Sequence, residues 1–200
     1  MSLVMPPEQQ AMARVEVLTE ERCRQVLPIQ NEFLATKHCL CCVPLSETAG
    51  EFRSRFQTSD RRALAAVALS GSGDGHTPIG YVTMTMPGVK RDFFESLFHT
   101  LRPGEAYIET LAVREGFRGQ GAGRKLLEWS ERTARERGAT VLSLGVINGN
   151  PARRLYERFG FVEKSSGGAC TCCLLLCCFG QPYGWCPPQF GAAVMEKPLT

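Results

Sequence analysis

The stretch LAVREGFRGQGAGRKLLEWSERT, residues 111–133, decides how this chain of 200 residues is interpreted. Its glycines stand at alternate positions 119, 121 and 123, arginines flank them, and a strongly periodic helical pattern follows. Glycine lets the backbone approach a ligand closely, and the first turn of a helix offers unpaired N–H groups and a partial positive charge. We therefore expect this loop to hold an anion such as a phosphate or pyrophosphate.

Two common nucleotide-binding motifs do not fit the loop. A P-loop requires G-x-x-x-x-G-K-[ST], but here Leu126 stands where the magnesium-binding hydroxyl belongs. A dinucleotide-binding loop requires G-x-G-x-x-G and an acidic residue about 20 positions later, whereas the spacing here is G-x-G-x-G. The structural alternative is a tight turn with left-handed backbone, for which one glycine would suffice.

The chain around the loop predicts a mixed α/β protein. The strand at 106–113, the loop, the helix at about 121–137 and the strand at 139–147 form one βαβ unit, which implies a parallel strand pair. Ala122, Leu126, Leu127, Ser130 and Ala134 form the predicted inner face of the helix, and Gly138 ends it. Further strands are predicted at 13–19, 63–70, 79–86, FVEK and AAVMEKPL, and further helices after 19 (kinked near Pro28), after the N-cap Ser46, at 92–101 and after the N-cap Asn150.

Composition indicates one ordinary globular domain, with 44% apolar residues and a formal net charge of +3. Between Arg114 and Lys164 the sequence has eleven Lys or Arg residues and six Glu residues, so the positive charge is concentrated around the glycine loop. This suits a compact anion and argues against nucleic acid as a partner. No apolar run reaches the roughly 18 residues of a membrane helix, and the N-terminus does not read as a signal peptide, so we expect a cytoplasmic protein.

The motif VREGFRGQGAGRKLL closely resembles the acetyl-CoA-binding motif of the GNAT superfamily of N-acetyltransferases, [QR]-x-x-G-x-[GA]. YIETLAV resembles that family's fourth strand, NGNPARRLYERFGF its second signature, and AVMEKPL its closing strand. The resemblance implies a single-domain GNAT fold over 13–200, with an N-terminal extension at 1–12 and a Cys-rich insert at about 165–190. It further implies a mixed, mostly antiparallel sheet with a central parallel strand pair flanked by helices.

The resemblance also implies acetyl-CoA as cosubstrate and no metal. Backbone amides near Leu111 would hold the pantetheine arm, and Tyr156 would be the acid that meets the CoA sulfur; the alternative for Tyr156 is a core tyrosine. Arg153 or Arg154 could reach the nucleotide phosphate, although exposed helix charges explain them equally well. The residues expected to bind the cosubstrate are Leu111, Ala112, Val113, Arg118, Gly119, Gln120, Gly121, Ala122, Gly123, Arg124 and Asn150.

Glu109 is the candidate general base, because an acid within the apolar strand AYIETLAV is otherwise out of place. Simple alternation predicts that Tyr107, Glu109, Leu111 and Val113 share one face. The alternative is a solvated glutamate or one paired across the strands.

For the acceptor, FFESLFHTLRPGEAYIETLAV is similar to the aralkylamine N-acetyltransferase branch, but that branch's His-x-His pair is replaced by Tyr107-Ile108-Glu109. We expect a small amine, an arylalkylamine or a polyamine, and a monomer or homodimer. A protein N-terminus or lysine is the alternative acceptor, and a non-catalytic CoA-binding or membrane-docked module is a further one.

Ten cysteines lie mostly in two clusters, at 39–42 and 170–178, and we interpret most of them as thiols. The second cluster lies in the insert. It is a candidate for palmitoylation and membrane docking, for zinc or copper binding, or for a plain hairpin extension.

Overall fold

The structure is a computed structural model that describes residues 14–35, 38–39, 43–44, 48, 50, 64–70, 77–89, 99–166 and 192–199. Its helices are α1 (Glu20–Ala35), α2 (Ala122–Glu136) and α3 (Arg153–Phe159). Its strands are β1 (Arg14–Val17), β2 (His38–Cys39), β3 (Val43–Pro44), β4 (Leu64–Ser70), β5 (Thr77–Thr85), β6 (Glu105–Val113), β7 (Val141–Ile147), β8 (Val162–Ser166) and β9 (Ala192–Pro198).

Seven strands form one sheet in the order β1-β4-β5-β6-β7-β9-β8, and β2 pairs with β3 separately. Neighbouring strands are antiparallel throughout the large sheet except for β6 and β7, which are parallel. The predicted fold class, a mixed and mostly antiparallel sheet with a central parallel pair flanked by helices, is confirmed. The predicted hairpin of 63–70 with 79–86 is also confirmed, as β4 and β5.

The helix after the glycine loop packs as its sequence period predicts. All five residues of the predicted inner face are buried, and Trp129 and Thr133 extend that face. Gly138 follows the helix with φ 76°, a left-handed conformation that suits glycine at a helix end. Burying this apolar face against the sheet is what fixes the helix, because an isolated helix of 15 residues is only marginally stable.

The sheet has two covered faces, which we name by the helix that packs on each. Tyr81 of β5 and Ala112 of β6 form a cluster with Cys23, Val26 and Ile29 of α1, and this is the α1 face. Val82 and Met84, the neighbours of Tyr81 that point the other way, belong to the larger core with Leu126 and Leu127 of α2, and this is the α2 face.

Several predicted elements differ from the structure or lie outside it. Helix α3 begins at Arg153 rather than directly after Pro151, because residues 151–152 form a turn first. Residues 99–101, the end of the helix predicted at 92–101, are not helical. Four further predictions lie outside the described residues: the rest of that helix, the N-cap Ser46, the N-terminal extension and most of the Cys-rich insert.

Candidate active site

The two parallel strands separate part-way along their length. Their register runs from Glu105–Val141 to Ile108–Leu144 and stops there. Beyond that point β7 pairs with β9 as far as Ile147, whereas residues 110–113 of β6 pair, among the described strands, with β5. The β7-facing edge of residues 109–113 therefore lines a gap between the strands, which we call the wedge.

The glycine loop follows the open end of the wedge. After Val113 the chain makes a short 3₁₀ turn, Glu115–Phe117, and then enters α2 through Gly119 and Gly121, whose φ angles are 77° and 86°. A Cβ added at either glycine would meet nothing within 4 Å, so their outer sides face open space. Both glycines are thus required by left-handed backbone and both leave room for a ligand.

Gly123 has a different role from the other two glycines. A Cβ there would lie 3.1 Å from Leu155 of α3, 3.8 Å from Val113 and 3.9 Å from Leu111. The start of α2, the end of β6 and helix α3 therefore meet at this residue. A tight turn would need only one glycine, whereas here left-handed backbone accounts for Gly119 and Gly121 and close packing for Gly123.

The start of α2 is suited to an anion. Its N-cap, Gly121, provides no side chain to bond the first N–H groups, and no acidic residue stands in the first turn. Arg118 donates from Nε to the carbonyl oxygen of Val113 at 3.0 Å, and Gln120 donates to the carbonyl oxygen of Gly116 at 3.1 Å. These two side chains brace the loop, while Arg124 forms an exposed ion pair with Glu128 at 2.9 Å.

A β-bulge places Glu109. Thr83 pairs with Thr110 but Met84 pairs with Ile108, so Glu109 is the extra residue in β6. Cross-strand partners share a face, and Leu111 pairs with Val82, so Leu111 lies on the α2 face. Tyr107 pairs with Thr85, which lies on the α1 face. The predicted sharing of one face by Tyr107, Glu109, Leu111 and Val113 is therefore wrong, because the bulge interrupts the alternation.

The Glu109 carboxylate is bonded to a threonine hydroxyl of the neighbouring strand. Oε1 of Glu109 accepts a hydrogen bond of 2.6 Å from the Thr85 hydroxyl, and the carboxylate is half-buried. Thr83 and Thr85 are buried on the α1 face, and Thr110 is half-buried beside them. These threonines were not predicted as site residues, although the alternation in YVTMTM places Thr83 and Thr85 on one face of the strand. The carboxylate is thus bonded across the strands, as the alternative reading held, and it also lies beside the wedge.

Tyr156 lies on α3, 7% exposed, with its ring edge-on to Phe161 at 6.1 Å between ring centroids. Its neighbour Leu155 reaches the start of α2, so α3 borders the site. Asn150 accepts a hydrogen bond of 2.9 Å from the backbone N–H of Ala152 and thereby caps the turn that leads into α3. Arg153 is bound to two glutamates, at 2.8 Å and 2.6 Å, which makes it a poor candidate for a phosphate ligand.

A buried carboxylate that was not predicted from the sequence lies at the closed end of the wedge. Glu105 is 1% exposed and accepts hydrogen bonds from Ser143, from the backbone and side chain of Arg102, and from Nε2 of His99 at 2.5 Å. Burial alone would raise the pKa of Glu105, but these donors outweigh it and lower the pKa to about 2. Arg102 also bonds Glu196 of β9 at 2.6 Å, so the cluster joins β6, β7 and β9.

The profile of the acetyltransferase (GNAT) family matches residues 33–161, so the chain belongs to this acetyl-CoA-using family. It is 37% identical over 92 residues to an acetyltransferase of Agrobacterium fabrum, covering 46% of this chain and 61% of the relative. It is 32% identical over 113 residues to the streptothricin acetyltransferase of Streptomyces lavendulae, and the match covers 56% of this chain and 50% of the relative. The chain thus spans less than two thirds of the length of these two relatives. It is 24% identical over 165 residues to the thialysine N-epsilon-acetyltransferase of Bos taurus, and the match covers 81% of this chain and 91% of the relative.

Solved structures show the same fold. An N-acetyltransferase from Staphylococcus aureus superposes with a TM-score of 0.64 at 19% identity, covering 95% of this chain and all of the other. The NatC complex bound to Gag peptide and CoA gives a TM-score of 0.60 at 18% identity, and the match covers 94% of this chain and 99% of the other.

In the described part of the chain, no group of three or more His, Cys, Asp or Glu side chains could hold a metal ion. None of the helices described is long and apolar enough to cross a membrane.

Proposed function

We propose that this protein is an N-acetyltransferase that moves the acetyl group of acetyl-CoA to a primary amine, with a small arylalkylamine or polyamine as acceptor. The observation that carries the proposal is the wedge. Beyond Ile108 the strand β6 has left β7, and residues 110–113 lead directly into a glycine loop and a helix start without a side-chain cap, with a carboxylate at the bulge between the two ends. These are the parts that a long, phosphorylated thioester and an incoming amine require.

The chain offers a binding surface that fits the two halves of CoA. The N–H groups at the start of α2 and the open sides of Gly119 and Gly121 suit a pyrophosphate. The β7-facing edge of Leu111, Ala112 and Val113 suits the amide groups of a pantetheine arm, since it carries backbone donors and acceptors, one of which, the Val113 carbonyl oxygen, bonds Arg118. The remaining members of the predicted set, Arg118, Gln120, Ala122, Gly123, Arg124 and Asn150, shape this surface. Bound here, acetyl-CoA supplies a thioester as acyl donor.

The residues beside the wedge suit the proton transfers of the reaction. An alkyl ammonium must lose a proton before its nitrogen forms the new C–N bond, and the Glu109 carboxylate takes it directly or through water. As the C–S bond breaks, the sulfur takes a proton from the Tyr156 hydroxyl, the proposed donor, and the second proton leaving the nitrogen restores that hydroxyl. The hydrogen bond from Thr85 keeps the Glu109 carboxylate in place on the acceptor side.

The charge of Glu109 supports an ammonium-bearing acceptor. Among the described carboxylates of the α1 face, Glu109 is half-buried beside the wedge, whereas Glu105 and Glu196 are both bound to Arg102. A half-buried carboxylate attracts a cation. The name of the bovine relative denotes an amino group on an aliphatic chain as acceptor, which agrees with a small amine.

The test offers acetyl-CoA with tryptamine, phenethylamine, spermidine, a peptide with a free N-terminus and a lysine peptide in parallel. Acetylated product is detected by mass spectrometry, because the ten cysteines of the chain interfere with thiol reagents. Product with one of the small amines and none with the peptides is expected. Product with peptides alone would overturn the small-amine acceptor. Binding of acetyl-CoA without product from any amine would indicate a non-catalytic CoA-binding module.

A further inference from the structure

The closed end of the wedge is bounded by one tyrosine and one glycine. Tyr107 pairs in register with Ser143, and the parallel pairing ends one residue later, at Ile108–Leu144. Gly145 is the next residue of β7 on the α1 face. A Cβ placed on Gly145 would lie 2.7 Å from the Tyr107 hydroxyl oxygen and 4.0 Å from the ring carbon that bears it. The hydroxyl therefore occupies the space that a side chain on β7 would fill.

Gly145 has no conformational reason to be glycine. It lies inside a strand, and its φ is not in the left-handed range. It is exposed although its neighbours Leu144 and Val146 are buried. Glycine in a central strand marks close approach by another group, and the group here is the tyrosine hydroxyl.

The tyrosine ring is held firmly. It is 6% exposed and stacks on the His99 ring, with centroids 5.6 Å apart and planes at 21°. His99 in turn donates to the Glu105 carboxylate at 2.5 Å, because a carboxylate with a pKa of about 2 is ionised at neutral pH and only accepts. A side chain fixed in this way can discriminate between ligands of different length.

We propose that the Tyr107 hydroxyl, packed over Gly145, limits the acyl group that the wedge accepts to acetyl. This inference rests on the proposed function. The phosphates of an acyl-CoA would lie at the glycine loop, at the open end, so its acyl group leads toward the closed end. Each methylene beyond acetyl would meet the hydroxyl oxygen. Tyr107 is thus a specificity-determining residue for the acyl donor.

The experiment compares the wild type, Tyr107→Phe, Gly145→Ala and the double variant. Affinities for CoA, acetyl-CoA, propionyl-CoA and butyryl-CoA are measured by calorimetry without an amine, and kcat/KM with whichever amine is turned over. Tyr107→Phe keeps the ring and removes the limiting oxygen, so it should raise the preference for propionyl-CoA over acetyl-CoA by about tenfold, the discrimination typical of one methylene. The melting temperature of Gly145→Ala should fall, because its methyl group meets the hydroxyl, and Tyr107→Phe should restore it.

Two controls separate this role from general damage. Tyr81→Phe removes a buried hydroxyl from β5 and should leave the chain-length profile unchanged. Gly80→Ala places a Cβ 2.7 Å from the backbone oxygen of Ala112, so Tyr107→Phe should not rescue it.

The outcomes distinguish this inference from the proposed function. Binding and turnover with a chain-length profile that Tyr107→Phe does not change would overturn the inference alone. An equal loss of melting temperature in Gly145→Ala with and without Tyr107→Phe would contradict the packing on which it rests. Failure of the wild type to bind any CoA compound would overturn the inference and the proposed function together.

Discussion

The hydroxyl of Tyr156 is the smallest feature on which the proposed chemistry depends. In Tyr156→Phe the ring stays in place against Phe161, so packing is kept while the proton donor is lost. We expect kcat to fall about 100-fold, the usual lower range for general acid catalysis, with affinity for acetyl-CoA within about twofold. Steady-state kinetics and calorimetry measure both. A variant with wild-type kcat would leave Tyr156 only its packing role.

Glu109 is tested by its dependence on pH. Glu109→Gln keeps the shape and the hydrogen bond from Thr85 but removes the base, so kcat/KM near pH 7 should fall about 100-fold. The difference in kcat/KM between Glu109→Gln and the wild type should shrink toward pH 10, where a free alkyl amine loses its proton without a base from the protein. The matched control is Glu115→Gln on the exposed 3₁₀ turn. A deficit that stays constant with pH would contradict a role as base.

Two glycines of the loop make a matched pair because their environments differ. Gly121 has φ 86° with open space where a Cβ would point, whereas Gly123 has ordinary helical backbone and a flexible leucine side chain nearby. Gly121→Ala should strain the backbone and place a methyl group where the pyrophosphate would lie, lowering acetyl-CoA affinity at least about tenfold. Gly123→Ala should cost some stability, because its methyl group crowds the Leu155 side chain at 3.1 Å, but it should leave acetyl-CoA affinity largely intact, because Leu155 can move aside. Similar losses of affinity in both variants, measured by calorimetry, would contradict this account.

Local pattern predicted those elements whose cause is local. The inner face of α2 follows from a period of 3.6 residues, and Gly138 from the need for left-handed backbone at a helix end. The bulge at Glu109 could not be predicted, because one inserted residue leaves the apolar pattern of β6 nearly unchanged yet moves every later side chain to the other face. The contact of Tyr107 with Gly145 was likewise hidden, because it joins residues of two strands that meet only in the folded sheet.

The candidate site was predictable to the same extent. The glycine loop can be recognised from about ten consecutive residues. By contrast, Thr85, the partner of Glu109, lies 24 positions away in the sequence, and Ser143, a partner of Glu105, lies 38 positions away. Such pairs become visible only once strand order is known. Family resemblance supplied Tyr156 and the cosubstrate, and neither spacing nor composition would have done so.

In the whole molecule the strands β6 and β7 must stay paired at the closed end of the wedge and separate at the open end. The hydrogen bonds of the Glu105 cluster stabilise the closed end. Its hydrogen bonds join β6 to β7 through Ser143, and Arg102 extends them to Glu196 of β9. Where these bonds lie, the parallel strands stay paired; four residues further on they have separated. A carboxylate that bonds so many groups contributes to the stability of the entire sheet.

This contribution has a definite pH dependence. The pKa of Glu105 falls from an ordinary value of 4.5 to about 2 on folding, so the stabilisation is fully present above about pH 4.5 and is lost as the pH falls toward 2. Its size is about 3 kcal/mol at neutral pH, from 1.36 kcal/mol for each unit of pKa. Urea unfolding of Glu105→Gln at pH 7 should therefore show a free energy of unfolding lower than that of the wild type by about 3 kcal/mol. The difference should narrow steadily between pH 4.5 and the acid limit of folding.

The difference between variant and wild type isolates this carboxyl group from the other acids of the chain. Glu128→Gln, which loses only an exposed ion pair with Arg124 on α2, should stay within about 0.5 kcal/mol of the wild type at every pH. A gap between Glu105→Gln and wild type that does not narrow in acid would show that the substitution damages packing rather than removing a charge with a lowered pKa. Acetyl-CoA affinity measured on the same samples then shows whether loosening the closed end also alters the open one. Because the cluster holds His99 against Tyr107, Glu105→Gln should weaken the acyl-length preference as well.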